Sequence, residues 1–256
     1  MVRTALDLVA QTIDWIEQRP LGQRGRPPVP TADVLHTLEA FARSGLQWLS
    51  AAPGRASGST LRRRLANWAI HAVLPRVHLV LLGMARSGPE AAAQAWDVIF
   101  DTCSVRAKHG GALTGPNPTD CGKPGTKYHL AVSTEGLPVA VVPSAANVPD
   151  TVMFPELLRL ALVACGAIAR LFADAGYDSR DNRWLCLRNG ITPLIRKSGS
   201  EHGSGLGVVR SVIERINERL LRYKRLDRRQ DRSAIIIRSF LAAACIFILA
   251  EQISDF

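Results

Sequence analysis

Two short stretches of similar pattern decide the fold: Val98-Ile99-Phe100-Asp101 and Leu171-Phe172-Ala173-Asp174. Each is an apolar run of the kind that forms a buried strand, and each ends in an aspartate. If the two strands lie side by side and parallel, both carboxylates lie at the same end of the sheet. Adjacent carboxylates raise each other's pKa unless a positive charge lies between them, and a divalent cation is the simplest such charge.

A third carboxylate, Glu214, lies on a strongly basic stretch with helical periodicity. It borders the apolar stripe of that helix, so it faces neither fully inward nor fully outward. One interpretation is an ordinary ion pair with Arg210, four residues earlier. The other, which we adopt as a hypothesis, is that Asp101, Asp174 and Glu214 together hold metal ions for phosphodiester chemistry on DNA.

The chain divides into three segments by composition. Residues 1–30 predict a helix followed by an arm rich in Pro, Gly and Arg. Residues 31–92 predict three or four short helices in a helix-turn-helix layout for binding DNA. Residues 93–256 predict strands that alternate with helices, which indicates an α/β (α+β) fold with a mixed sheet covered by helices. Asp150 or Thr151 is expected to cap one of these helices.

Positive charge is concentrated where DNA contacts are expected. The net charge of +10 favours an anionic partner, nucleic acid or a membrane surface. Residues 40–89 contain no Asp or Glu against seven Arg, and the exposed side of one helix is predicted to carry Arg62, Arg63 and Arg64. The loop 106–127 is long and basic, with Lys108, Lys123 and Lys127 as its best phosphate contacts. Solvated surface charge is the alternative interpretation for each of these residues.

Other features of the sequence exclude several classes of protein. Five cysteines without a C-x-x-C pair indicate neither a disulfide framework nor a zinc site, and reduced thiols fit a cytosolic protein. The most apolar stretch, residues 234–250, contains Arg238 and is shorter than a membrane span, so we predict a buried core helix and no membrane partner. The Gly203–Gly207 run does not match a nucleotide-binding loop.

Several motifs closely resemble those of the DDE transposases of bacterial insertion sequences, the group named after the fifth insertion sequence. They occur in the family's order between about residues 96 and 240, whereas residues 31–92 resemble the family's N-terminal helical region more loosely. The motifs are Asp101-Thr-Cys-Ser-Val-Arg-Ala107, Leu113-Thr-Gly-Pro-Asn-Pro-Thr-Asp120, Gly122-Lys-Pro-Gly-Thr-Lys127, Ala145-Ala-Asn-Val-Pro-Asp150, Ala173-Asp-Ala-Gly-Tyr-Asp178, His202-Gly-Ser-Gly-Leu-Gly-Val-Val-Arg210 and Val212-Ile-Glu-Arg215.

The resemblance implies a ribonuclease H-like catalytic domain in which Asp101, Asp174 and Glu214 form the acidic triad. It implies two Mg²⁺ ions, for which Mn²⁺ is expected to substitute, and a homodimer assembled on the element's terminal inverted repeats and on target DNA. Arg210 matches the family's Arg-x-x-x-Glu signature. Gly207 and Leu221 stand where the related group often carries Tyr and Lys, so phosphate contacts are expected from neighbours. The remaining predicted DNA contacts are Arg106, Arg210, Arg215, Arg222 and Lys224.

The predicted activity is that of a DNA transposase, which cleaves the ends of an insertion sequence and joins their 3′-OH groups to target DNA. Two alternatives remain open from the sequence. A ribonuclease H-like nuclease or resolvase would cut DNA without joining it. A non-catalytic, transposase-derived protein would bind DNA through residues 31–92 without cutting it.

Overall fold

The computed structural model describes residues 4–18, 27–48, 56–86, 94–197 and 207–254. The helices are α1 (Ala5–Glu17), α2 (Thr31–Ser44), α3 (Gly58–Ile70), α4 (Val73–Ala85), α5 (Asp150–Cys165), α6 (Arg180–Arg188), α7 (Gly207–Leu221), α8 (Lys224–Asp227) and α9 (Ala234–Ser254). The strands are β1 (Trp96–Arg106), β2 (Gly115–Pro116), β3 (Pro124–Ser133), β4 (Pro138–Ala145), β5 (Ile168–Ala173) and β6 (Thr192–Ile195).

The chain forms two compact units. One comprises Arg86–Arg219 and contains all the strands; we call it the sheet unit. The other comprises Met1–Ala85 together with Leu220–Phe256; we call it the helical unit. Residues 220–256, which the sequence groups with the catalytic region, thus pack with the N-terminal helices.

The sheet is mixed, with three parallel strands on one side and antiparallel strands on the other. Its strands follow the order β4–β3–β1–β5–β6, and the short β2 pairs with the start of β3. β1 is antiparallel to β3, as β3 is to β4, whereas β1, β5 and β6 run parallel to one another. In the register of the β1–β5 pair, Phe100 lies opposite Ala173. The predicted mixed sheet flanked by helices is therefore confirmed.

Burial of consecutive residues shows that β1 is covered on both faces. Val98, Ile99 and Phe100 are all buried, although successive side chains of a strand point to opposite faces. On one face Phe100 packs against Phe154 of α5 and Tyr177, with ring centroids 5.4–6.1 Å apart. The apolar run before Asp101 is therefore the centre of the core.

The helical unit is built around α9. This helix packs against α1, α3 and α4, and most of its residues are apolar and buried, as is typical of a core helix. The start of α1 is fixed by a capping box, in which the Thr4 side chain accepts from the Asp7 amide and the Asp7 side chain accepts from the Thr4 amide. The predicted N-terminal helices are present.

A buried arginine ties the short helix α8 to its neighbours. Arg225 makes hydrogen bonds to both carboxylate oxygens of Asp231, at 2.8–3.1 Å. Its guanidinium lies 4.3–5.3 Å from the ring centroids of Phe41, Trp48 and Phe240. This is an aromatic box closed by an internal cation.

Within the described ranges, one helix is long and apolar enough to cross a bilayer. It is α9, whose window Ala234–Ile253 has a mean hydropathy of 2.1. The bent pair α3–α4, with 74° between its helices, passes the same test only if the two are counted together. Because 72% of the α9 window is buried inside the protein, α9 has the burial of a core helix.

Candidate active site

The parallel pair β1–β5 brings two carboxylates to the same place. Asp101 and Asp174 each follow a residue of the Phe100–Ala173 register, so they lie next to each other where β5 ends. Asp174 begins a short 3₁₀ turn, Ala175–Tyr177, and accepts a hydrogen bond of 3.0 Å from the Gly176 amide. The predicted parallel pairing of the two strands that lead to these aspartates is confirmed.

The pKa values of both aspartates are raised, so ionising both carboxylates is unfavourable. Burial raises the pKa of Asp101 to about 6, and the neighbouring Asp174 carboxylate raises it as well. Burial also raises the pKa of Asp174, and Asp150 adds to that shift. The positive charge of Arg210 works in the opposite direction on both pKa values. A cation near the pair is therefore strongly favoured.

Asp150 is a third acid near the pair, and its place was not foreseen from the sequence. Asp150 or Thr151 was expected to cap α5, but Pro149 is the cap residue and makes no side-chain hydrogen bond. The Asp150 carboxylate instead accepts from Lys127 Nζ at 2.7 Å and from Thr102 Oγ1 at 3.4 Å. The signal available in the sequence was its position at the end of a motif shared with the resembling family.

Beneath the acids lies a buried polar network. His129 Nε2 is 2.8 Å from Ser144 Oγ, and His129 Nδ1 is 3.3 Å from the Tyr177 hydroxyl. That hydroxyl also lies 3.4 Å from the Asp101 carbonyl oxygen. Burial lowers the pKa of His129 to about 4, so the ring is neutral at pH 7. The network ties β3 to both β1 and the turn after β5.

Glu214 does not join the two aspartates in a three-acid cluster. Its side chain is 57% exposed and accepts a hydrogen bond of 3.0 Å from Arg210 Nε. Across the parts of the chain that the structure describes, no three His, Cys, Asp or Glu side chains are grouped so that they hold one metal ion. The ion pair that the sequence offered as an alternative is present, and the role of Glu214 in catalysis stays a prediction.

Helix α7 nevertheless reaches the acid pair through a residue that sequence reasoning missed. Asn217 Nδ2 donates a hydrogen bond of 3.0 Å to Asp101 Oδ2. Asn217 lies three residues after Glu214, so both are on neighbouring turns of one helix face. That spacing was the only signal in the sequence. Arg210, on the same helix, bonds Glu214 and acts electrostatically on both aspartates.

The side chains predicted to contact DNA fall into three groups. Exposed residues are Arg62, Arg63, Lys108, Lys123, Arg210, Arg215, Arg222 and Lys224. Arg106 is exposed too, but it donates two hydrogen bonds, of 2.6 and 2.9 Å, to Asp120. Two others are turned inward.

Those two are Lys127 and Arg64. The Lys127 side chain is only 18% exposed, because its amine binds Asp150 and the Val148 carbonyl oxygen. The prediction that Arg64 lies on the exposed side of its helix is wrong: its side chain is 12% exposed, since Glu17 of α1 and the Val29 carbonyl oxygen bind it. The DNA contacts of all these residues stay predictions.

The residues of the acid pair fit a hard divalent cation. Two adjacent carboxylates supply oxygen ligands, and Mg²⁺ typically uses one or two carboxylates while keeping several waters. The Oδ1 atom of Asn217, beside Asp101, is buried without a hydrogen-bond partner. Softer metals prefer thiolate or imidazole ligands, whereas the oxygen ligands of this pair suit a hard divalent cation.

A mixed sheet of this order, with carboxylates on adjacent parallel strands, defines the ribonuclease H-like class of DNA-processing domains. Residues 93–249 match the family described as the transposase DDE domain. A putative transposase for insertion sequence element IS402 of Burkholderia cepacia is 36% identical over 172 residues, which cover 64% of this chain and 80% of that protein. The chain belongs to the DDE transposases of bacterial insertion sequences, a family that acts on DNA and depends on divalent metal.

Proposed function

We propose that the protein cleaves the ends of an insertion sequence and joins them to target DNA by Mg²⁺-dependent phosphoryl transfer, with two ions at the site. The observation that carries this proposal is the pairing of Asp101 with Asp174 across the parallel strands β1 and β5. Their raised pKa values mark a place where positive charge is needed. Glu214 is the third proposed acid, supplied by α7.

The reaction has two steps with the same bond chemistry. In the first, a water oxygen attacks a phosphorus atom at the element's end, the P–O3′ bond breaks, and O3′ takes up a proton. In the second, that 3′-OH attacks a phosphorus atom of target DNA, a new P–O3′ bond forms, and a target 3′-OH leaves. No covalent enzyme intermediate is needed. The metal, when bound, activates the attacking oxygen and stabilises the leaving one.

The chain's own residues contribute ligands, orientation and charge. Asp101 presents its carboxylate from β1 and Asp174 from the turn directly after β5, so the paired strands hold both acids in place before substrate arrives. Arg210 forms an ion pair with Glu214 on one face of α7 and thereby holds the Glu214 side chain against that face. We expect Lys108 and Lys123, two exposed lysines of the basic loop, to neutralise DNA phosphates. We expect a homodimer, since cutting two ends requires two sites, working on DNA at the nucleoid in the bacterial cytoplasm.

The test of the chemistry uses single substitutions of the three acids. Asp101→Ala, Asp174→Ala and Glu214→Ala are each expected to lower Mg²⁺-dependent cleavage of element-end DNA by more than about 10²-fold, because partners of metal ligands alone contribute ~10–100-fold. Asp181→Asn, an exposed acid of α6, is the matched control and is expected to cleave normally. An acid whose loss leaves the rate at the wild-type value is not part of the site.

A second assay separates joining from cutting. A pre-cleaved element end with a free 3′-OH is incubated with Mg²⁺ and supercoiled target DNA, and joined products are scored on a gel. Joined product supports the transposase proposal. Cleavage of the uncut end without joining would identify a nuclease, and binding without either reaction would identify a non-catalytic DNA-binding protein.

A further inference from the structure

We propose that Asn217 is a positioning residue for Asp101, one that fixes the aspartate's carboxylate from α7 and thereby sets where that helix lies relative to the acid pair. The proposal deepens the proposed function and rests on it, because it assumes that Asp101 is an acid of the reaction site. The observation behind it is separate from the pairing of the two aspartates: a side-chain hydrogen bond joins Asn217 to Asp101, which are 116 positions apart.

The contact is a charge-assisted hydrogen bond in a half-buried setting. Asn217 Nδ2 donates to Asp101 Oδ2 at 3.0 Å, and such bonds are roughly twice as strong as those between neutral groups. Asn217 borders the buried face of α7, which is formed by Val212, Ile213 and Ile216. The apolar face anchors the helix by burial alone, which is not directional. The hydrogen bond from Asn217 to Asp101 is directional and therefore fixes the orientation of α7.

The Oδ1 atom of Asn217 indicates that the residue serves as a hydrogen-bond donor. Its Oδ1 is buried and has no hydrogen-bond partner, which costs stability. Turning the amide over would place that oxygen against the Asp101 carboxylate, so two acceptors would face each other. A leucine, which is branched at Cγ in the same way, would avoid the unpaired oxygen altogether. The cost is therefore offset by the donor that Asn217 supplies to Asp101.

The same side of α7 carries the other site residues of this helix. Glu214 lies three positions before Asn217, and Arg210 four positions before Glu214, so the three lie along one side of the helix. Arg210 holds Glu214 at 3.0 Å, while Asn217 holds Asp101. Fixing Asn217 to Asp101 therefore fixes the height and rotation at which Glu214 approaches the acid pair.

The first test measures the link without metal or DNA. Hydrogen exchange of the backbone amides of α7 is followed in EDTA for the full-length wild type, Asn217→Leu, Asp101→Ala and the double variant. We expect each single variant to speed exchange within α7 and the double variant to add nothing, because both remove one bond. Glu218→Ala, at an exposed position next to Asn217, is the control. Unchanged or additive exchange would overturn the proposal.

The second test measures Mn²⁺ binding by calorimetry in the absence of DNA. Asn217→Leu is expected to weaken Mn²⁺ binding by about 10–100-fold, the effect of removing a partner of a metal ligand. Asn217→His, whose ring nitrogen can donate from a similar place, is expected to restore most of it, and Glu218→Ala to bind as wild type. Wild-type affinity in a folded Asn217→Leu variant would contradict the proposal.

The two readouts separate failure of this proposal from failure of the proposed function. If Asp101→Ala binds Mn²⁺ as tightly as wild type, the metal assignment of the proposed function fails. The exchange measurement then still decides whether Asn217 holds Asp101. If exchange behaves as expected and only Asn217→Leu retains full Mn²⁺ affinity, the proposal fails while the acid pair stands.

Discussion

At the scale of single residues, Gly176 lies close to the carboxylates of Asp150 and Asp174. A Cβ at this position would come within 2.8 Å of Asp150 Oδ2 and 3.2 Å of Asp174 Oδ1. Real Cβ atoms essentially never approach other atoms as closely as the shorter of these distances. The absence of a side chain at position 176 therefore allows the turn Ala175–Tyr177 to pass close to both carboxylates.

We predict that Gly176→Ala lowers DNA cleavage by about 10²-fold, because misplacing a reacting group by about 1 Å costs that much. The fold is expected to survive, since Gly176 itself is exposed. Gly83→Ala is the matched control: its Cβ would meet nothing within 4 Å, and in a helix interior it is expected to stabilise by about 0.5–1 kcal/mol. Equal cleavage by both variants would show that the carboxylates adapt freely.

Lys127 and Lys123 belong to the same basic region but are expected to behave differently. We predict that Lys127→Met lowers the free energy of unfolding by about 3 kcal/mol, because it leaves the largely buried Asp150 without its cation. Lys123→Met should leave stability nearly unchanged and lower the slope of log binding constant against log salt by about 1. Urea unfolding and DNA titrations at several salt concentrations measure the two effects.

His129 gives a pH dependence of known sign. Its pKa is about 4 in the folded protein and about 6.5 in an unfolded chain, so the unfolded state binds more protons between these values. The stability that neutral His129 contributes is thus present above pH 6.5 and lost as the pH falls towards 4. We predict that wild type loses about 3 kcal/mol more than His129→Gln over that range. A parallel loss in both proteins, measured by urea unfolding, would contradict the assignment.

At the scale of elements, Arg225 and Arg222 offer a matched pair on adjoining turns. Arg225 is buried between three aromatic rings and Asp231, whereas Arg222 is exposed. We predict that Arg225→Met lowers the free energy of unfolding of the helical unit by about 3 kcal/mol, because Asp231 is left buried and unpaired. Arg222→Met should change it by less than about 0.5 kcal/mol. Thermal unfolding followed by circular dichroism distinguishes the two.

The helices and strands themselves were largely predictable from the sequence, because each depends on the pattern of residues within its own segment. Apolar runs and helical periodicity identify strands and helices, and two such runs ending in aspartate predicted the β1–β5 pairing. Contacts between distant side chains were not predictable. Periodicity placed Arg64 on an outward face, but the carboxylate of Glu17 on another helix draws it inward. Asp150 and Asn217 were missed for the same reason, since a pattern along one element does not name its partner on another.

At the scale of the whole molecule, composition divides the chain at a different place from the packing of its elements. Charge and motifs divide the sequence near residue 92, but the helical unit is assembled from both ends of the chain. The N-terminal helices bury their apolar faces against α9, which follows the sheet unit in sequence. A unit of this kind closes a core only when its two separated segments are both present.

We therefore predict that residues 1–92 do not fold alone, because without α9 the apolar faces of α1, α3 and α4 stay exposed to water. Residues 1–85 joined to residues 220–256 by a long flexible linker are expected to unfold cooperatively on heating. The same fusion with Phe247→Asp, which places a charge in the buried face of α9, is the control and is expected not to fold. Circular dichroism melts of the three proteins decide the matter, and a cooperative transition in residues 1–92 would show that α9 is dispensable.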